Sequence, residues 1–129
     1  MTVNEVYNRL GSFLIDIIPD SQWKKAELNI EIQPGMLGMS GGCFCKGQVI
    51  SLRTRYDDEL KSAVKWLHQI TTEGGSNKWN KAVFTITPDK KFDMEFIWDQ
   101  EWQTEVDENN RRAELDDPNY KAPKWHWEG

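Results

Sequence analysis

Two cysteines, two histidines and 21 carboxylates are the side chains with which this 129-residue chain could do nucleophilic, metal or acid–base chemistry. Cys43 and Cys45 are separated by one residue, so a bridge between them would close a small, strained ring. On a strand, alternation points both to the same face, and two small buried residues are the expectation. A metal site would need two further ligands. Only His68 and His126 offer imidazoles, and neither stands at finger-like spacing. A cysteine nucleophile would want a histidine base; Cys43 or Cys45 could meet His68 only in three dimensions, and nothing local supports that pairing. The glycine-rich run from Gly35 to Gly42 lacks the Lys-Ser or Lys-Thr and the following helix that a phosphate cradle needs, so it reads as a hairpin loop. Gly38-Met39-Ser40-Gly41-Gly42 in that run has Gly-x-Ser-x-Gly spacing, but no helix starts there as a nucleophile elbow needs, and His-Glu-x-x-His does not occur. Among so many acids, a close carboxylate pair is no argument for glycoside chemistry. The expectation is a protein that is not an enzyme and holds no metal or cofactor.

Charge and aromatic content point to binding instead. The formal charge is −5, but Asp93 to Asp117 carries ten acids against Arg111 and Arg112, a net of −8 that leaves +3 for the rest. Phosphates would be repelled from that segment, which excludes it as a nucleic-acid surface and suits a basic partner. Four of the seven tryptophans (Trp98, Trp102, Trp125 and Trp127) lie in or after it. Tryptophan gives a large contact area at little entropic cost and is frequent at binding hot spots. Trp23, Trp66, Trp79 and Trp98 are expected in the core. Trp102, in the polar run Gln100-Glu101-Trp102-Gln103, is the candidate exposed anchor. Asp99, Glu101, Glu105, Asp107 and Glu108 are the candidate charges around it. Trp125-His126-Trp127 either seals the domain or meets a ligand.

The elements that must position these residues follow from hydrophobic period. Val3, Val6, Tyr7, Leu10, Phe13, Leu14 and Ile17 recur at helical spacing, with Thr2 and Glu5 at capping-box spacing and Pro19 as the stop. Ala26, Leu28, Ile30 and Ile32 alternate with polar residues, a strand with one wet face. Gln33 to Gly42 reads as a turn region, although Met36 to Ser40 could begin the next strand, and Cys43 to Lys46 and Gln48 to Leu52 read as two short strands or one bent at Gly47. Asp57 or Asp58 caps a second helix to about residue 72, stopped by Gly74-Gly75. Trp79 to Thr87 and Lys91 to Asp99 form a hairpin around Pro88-Asp89-Lys90. Glu105 to Leu115 is a candidate short helix capped by Asp107. The predicted fold class is α+β: a single antiparallel sheet of four to five strands, two helices on one face, and an irregular C-terminal tail. Residues 1–105 would form the domain, and 106–129 an extension that packs on it or frays. No apolar run approaches the roughly 20 residues of a membrane span, and the opening Met1-Thr2-Val3-Asn4-Glu5 has no signal-like pattern, so the cytoplasm is the expected location.

The amphipathic helix ending Ile17-Ile18-Pro19, the following Trp23-Lys24-Lys25 and alternating strand, Trp79-Asn80-Lys81-Ala82-Val83-Phe84-Thr85-Ile86, and Lys91-Phe92-Asp93-Met94-Glu95-Phe96-Ile97-Trp98-Asp99 form one pattern. It resembles the YezG-like immunity proteins of bacterial polymorphic toxin systems, including contact-dependent inhibition, over roughly residues 5 to 105. The glycine-rich run and the Trp-His-Trp tail have no counterpart in that pattern. The resemblance implies a small cytoplasmic α+β protein that neutralises a cognate toxin domain, often a nuclease, by blocking its active site or substrate access. It carries over no contact residue by position. The alternative is a non-catalytic carbohydrate- or small-molecule-binding module using the C-terminal tryptophans. No direct nucleic-acid or membrane binding is expected, and a monomer or weak homodimer fits a Trp98 to Trp102 patch.

Overall fold

The computed structural model describes residues 1–19, 21–52 and 55–128. Helix α1 (Val3–Ile17) starts where Thr2 Oγ1 accepts from the Glu5 amide at 3.2 Å. Its buried stripe is Val6, Leu10 and Leu14. Gly11 lies on the same side, where an added Cβ would stand 3.0 Å from Ile86 Cδ1. The helix therefore accepts about 1 kcal/mol of intrinsic penalty in exchange for a close approach to the sheet. Helix α2 (Asp58–Thr71) is capped by Asp57, whose carboxylate accepts from the Leu60 amide at 2.7 Å. It buries Leu60, Ala63, Val64, Leu67 and His68.

Five strands, β1 (Trp23–Gln33), β2 (Met36–Cys45), β3 (Gln48–Leu52), β4 (Lys81–Ile86) and β5 (Phe92–Ile97), form one antiparallel sheet in the order β3-β2-β1-β4-β5. The α+β class, with two helices over one sheet face, is as the hydrophobic periods require. Ala26, Leu28 and Ile30 pair with Ile86, Phe84 and Ala82, and all six are buried beneath the helices. Cutting Phe84 to alanine there would cost about 3–5 kcal/mol, the range for emptying a buried aromatic site.

Of the two readings of the glycine-rich run, the strand starting within Met36 to Ser40 holds, and the hairpin loop is confined to its first residues. Only Pro34-Gly35 forms the turn, with Gly35 at φ 79°, and β2 runs through Gly38, Gly41 and Gly42. The reason is room. A Cβ at Gly41 would stand 3.6 Å from Leu14 Cδ2 and 3.3 Å from the Tyr56 hydroxyl, so glycine lets both pack over β2. Lys46 and Gly47, both at positive φ, make the two-residue turn into β3, so the chain forms two strands there rather than one bent strand.

The C-terminal segment also differs from expectation. A third helix, α3, runs Gln100–Asp116, five residues earlier than expected and through the 105/106 boundary. Its cap is Asp99, not Asp107. Beyond it the chain is irregular but docked. An added Gly35 Cβ would touch Pro123 at 3.5 Å, Trp125 is buried, and His126 Nε2 lies 2.8 Å from Thr72 Oγ1. The last residues thus pass the β1–β2 turn and close over the C-terminal end of α2.

Candidate partner-binding surface

Helix α3 has a weak apolar stripe, and its one buried residue is Gln103. It is held by amides. Gln103 Oε1 accepts from Gln33 Nε2 at 2.8 Å and from Asn80 Nδ2 at 3.3 Å. Asn80, fully buried, also donates to the Asp99 carbonyl and accepts from the Asp99 amide at 2.7 Å. Each such bond contributes about 0.5–1.5 kcal/mol net, but a buried group stripped of its partner costs about 1–3 kcal/mol. The network therefore fixes the first turn of α3 more by the penalty for breaking it than by its own strength. Asn80 does this from just before β4, where its amide donates to the Ile97 carbonyl at 3.0 Å and Lys81 pairs with Ile97.

The six residues singled out from sequence divide into two groups. Asp99, Glu101, Trp102 and Glu105 line one hollow together with Lys81. In it Asp99 accepts from the Trp102 amide at 3.0 Å and pairs with Lys81 Nζ at 2.8 Å. The Lys81 hydrogen bond and the helix amide hold the Asp99 carboxyl below its ordinary range, and Asp99 raises Lys81 in turn. Asp99 is thus a cap and an ion-pair partner rather than an open charge. Trp102 is half-buried, with the Lys81 ammonium 5.1 Å from its ring centre. Glu101 and Glu105 are exposed on either side of it in sequence. Asp107 and Glu108 lie a turn further on. Asp107 accepts from Gln103 Nε2 at 3.0 Å, and Glu108 pairs with Arg111 at 3.1 Å and Arg112 at 4.0 Å. Lys81, Asn80, Gln103 and Gln33 escaped the sequence reading. Their partners are as many as 70 residues away, and no local spacing signals them.

The Trp-His-Trp tail builds a second constellation. The rings of Trp125 and Trp127 stack at 4.7 Å and 9°, and Trp125 stacks on His68 at 5.2 Å. Trp79 meets His68 edge-on at 4.7 Å, and its carbonyl lies 2.9 Å from His68 Nε2. Burial pushes the His68 imidazole down to about 4, against a smaller opposing effect of the Trp79 carbonyl and with His126 adding to the depression. His68 is therefore neutral at pH 7 and bonded as a core residue. Cys43 and Cys45 are both buried, as expected of small apolar side chains. Trp79 is the fully buried tryptophan of the chain's first four, while Trp23, Trp66 and Trp98 are half-buried against the core. Among the described residues, no three His, Cys, Asp or Glu side chains converge as metal ligands, and no helix is long and apolar enough to cross a membrane.

Comparison of the chain with protein-family models and with curated proteins gives no match.

Proposed function

We propose that this protein is a non-catalytic inhibitor of the immunity type, which neutralises a basic, nuclease-like toxin domain by covering its active site or substrate path. The observation that carries this reading is α3. Its first turn is locked by buried amides, while Glu101 and Glu105 project freely beside the half-exposed ring of Trp102. A carboxylate pair carried on a fixed helix turn around an aromatic anchor is what a phosphate-binding cleft, lined by basic residues, would accept in place of its substrate. Asp99 supports that pair from beneath by starting the helix. Asp107 and Glu108 extend the negative field along it. The reading of the tail as a sugar platform has less to draw on, because Trp125 is buried and its ring is stacked on His68 and Trp127.

The test is to look for a toxin-like domain in an adjacent gene and to co-express it with this chain. The wild type should co-purify with that domain and protect the cell. The Glu101→Lys, Glu105→Lys double variant should lose both while folding normally. Full protection by the double variant would overturn the role of α3.

A further inference from the structure

Strand β5 ends the sheet, and its outer edge is open. The Thr87 amide donates to the Lys91 carbonyl at 3.0 Å, which sets the phase of the β4–β5 ladder. With Thr85 opposite Asp93 and Val83 opposite Glu95, the inward-bonding residues of β5 are Asp93, Glu95 and Ile97. The N–H and C=O groups of Phe92, Met94 and Phe96 therefore point outward, and no hydrogen bond among the described residues reaches them. Sheet edges are ordinarily blunted by charged side chains, a proline, a bulge or a covering segment. The run Phe92-Asp93-Met94-Glu95-Phe96-Ile97 has no proline and an unbroken register with β4; its charges, Asp93 and Glu95, are both acidic, so they disfavour another acidic edge but not a basic strand.

The side chains state what would fit. On the helix side Phe92 and Phe96 are 41% and 38% exposed, because the edge strand overhangs α1 and α2. A hollow opens at each: one with Tyr7, Gly11 and Ile15 beside Phe92, the other with Ile70 and Trp79 beside Phe96. On the opposite face Asp93 and Glu95 are exposed and have no ion-pair partner among the described residues. A second copy of β5 added antiparallel would set these acids against their own kind, and like charges directly opposite are destabilising. A strand with lysine or arginine at alternate positions meets them instead. It would do so at the non-hydrogen-bonded positions, where facing Cα atoms are only about 4.5 Å apart. Its intervening apolar residues would face Phe92, Met94 and Phe96. Two of them four residues apart would span about 13 Å, the same rise that separates Phe92 from Phe96 along β5.

We propose that the outer edge of β5 is a docking site for an extended segment of a partner protein in which basic residues alternate with apolar ones, added as a sixth strand. This surface is separate from α3 and stands whether or not α3 meets a nuclease. The test is an NMR titration of the whole ¹⁵N-labelled chain with a capped Lys-Val-Lys-Val-Lys-Val-Lys peptide, with its Glu-Val counterpart as control. The amides of Phe92, Met94 and Phe96 should shift and exchange at least tenfold more slowly with the Lys-Val peptide, and not with the Glu-Val one. The Asp93→Lys, Glu95→Lys double variant, altered only at exposed positions, should bind the Lys-Val peptide at least tenfold more weakly and take up the Glu-Val one. Three results would overturn the proposal: no response to Lys-Val peptide at millimolar concentration, equal binding by the variant, or shifts confined to α3. So would a wild-type homodimer that protects the β5 amides without peptide.

Discussion

Trp125→Ala tests whether the tail is part of the domain. The indole is 6% exposed, stacked on His68 at 5.2 Å and on Trp127 at 4.7 Å. Emptying a buried tryptophan site costs about 3–5 kcal/mol. A docked terminal segment can close part of the gap, so about 3 kcal/mol is the expected loss. At roughly 4 °C per kcal/mol for a domain of this size, Tm should fall by about 12 °C. The same change uncovers His68, whose imidazole then returns from about 4 towards its ordinary value. Urea unfolding at pH 7 measures the first effect and NMR titration of the His68 ring the second. A loss below about 1 kcal/mol with an unmoved His68 titration would refute the reasoning, because the tail would then be a loosely attached end.

Three further outcomes follow from the geometry. Gln103→Leu leaves the buried Gln33 and Asn80 amides short of their acceptor and should destabilise by about 1–3 kcal/mol; hydrogen exchange should quicken first across α3. Phe84→Ala should cost about 3–5 kcal/mol in the same urea assay, with no selective loss of α3 protection. Because the folded-state value of His68 lies below its unfolded value, protons bind the unfolded chain first. Its contribution is complete above about pH 6.5 and is lost as the pH falls towards 4. Between pH 7 and pH 4.5 the wild type should lose about 2.5 kcal/mol more than a His68→Gln variant measured in parallel.

Where burial is periodic, the sequence carries the fold. The Val6-Leu10-Leu14 stripe, the Ala26 to Ile32 alternation and the Leu60 to Leu67 stripe each mark an element that the sheet and helices then bury. Where an element is held by something other than apolar burial, the pattern fails. Helix α3 has too little hydrophobic periodicity to mark its start, since Gln103 and the Asp99–Asn80 contacts fix it. The strand through Gly38 to Gly42 has no alternating side chains to read, because space for Leu14 and Tyr56 is what the sequence encodes there. The candidate surface was legible as charge but not as geometry. Counting acids finds the segment, while its sorting into free Glu101 and Glu105, capping Asp99 and paired Glu108 depends on Lys81 and the arginines.

The proposed role of α3 is tested most directly by the association rate with a candidate basic toxin domain, followed by stopped-flow Trp fluorescence at low and high salt. Exposed charges steer encounter, so the wild-type rate should fall steeply as salt rises, and Glu101→Lys, Glu105→Lys should be at least tenfold slower at low salt with most of that salt dependence gone. Equal rates for the two proteins at low salt would contradict the account.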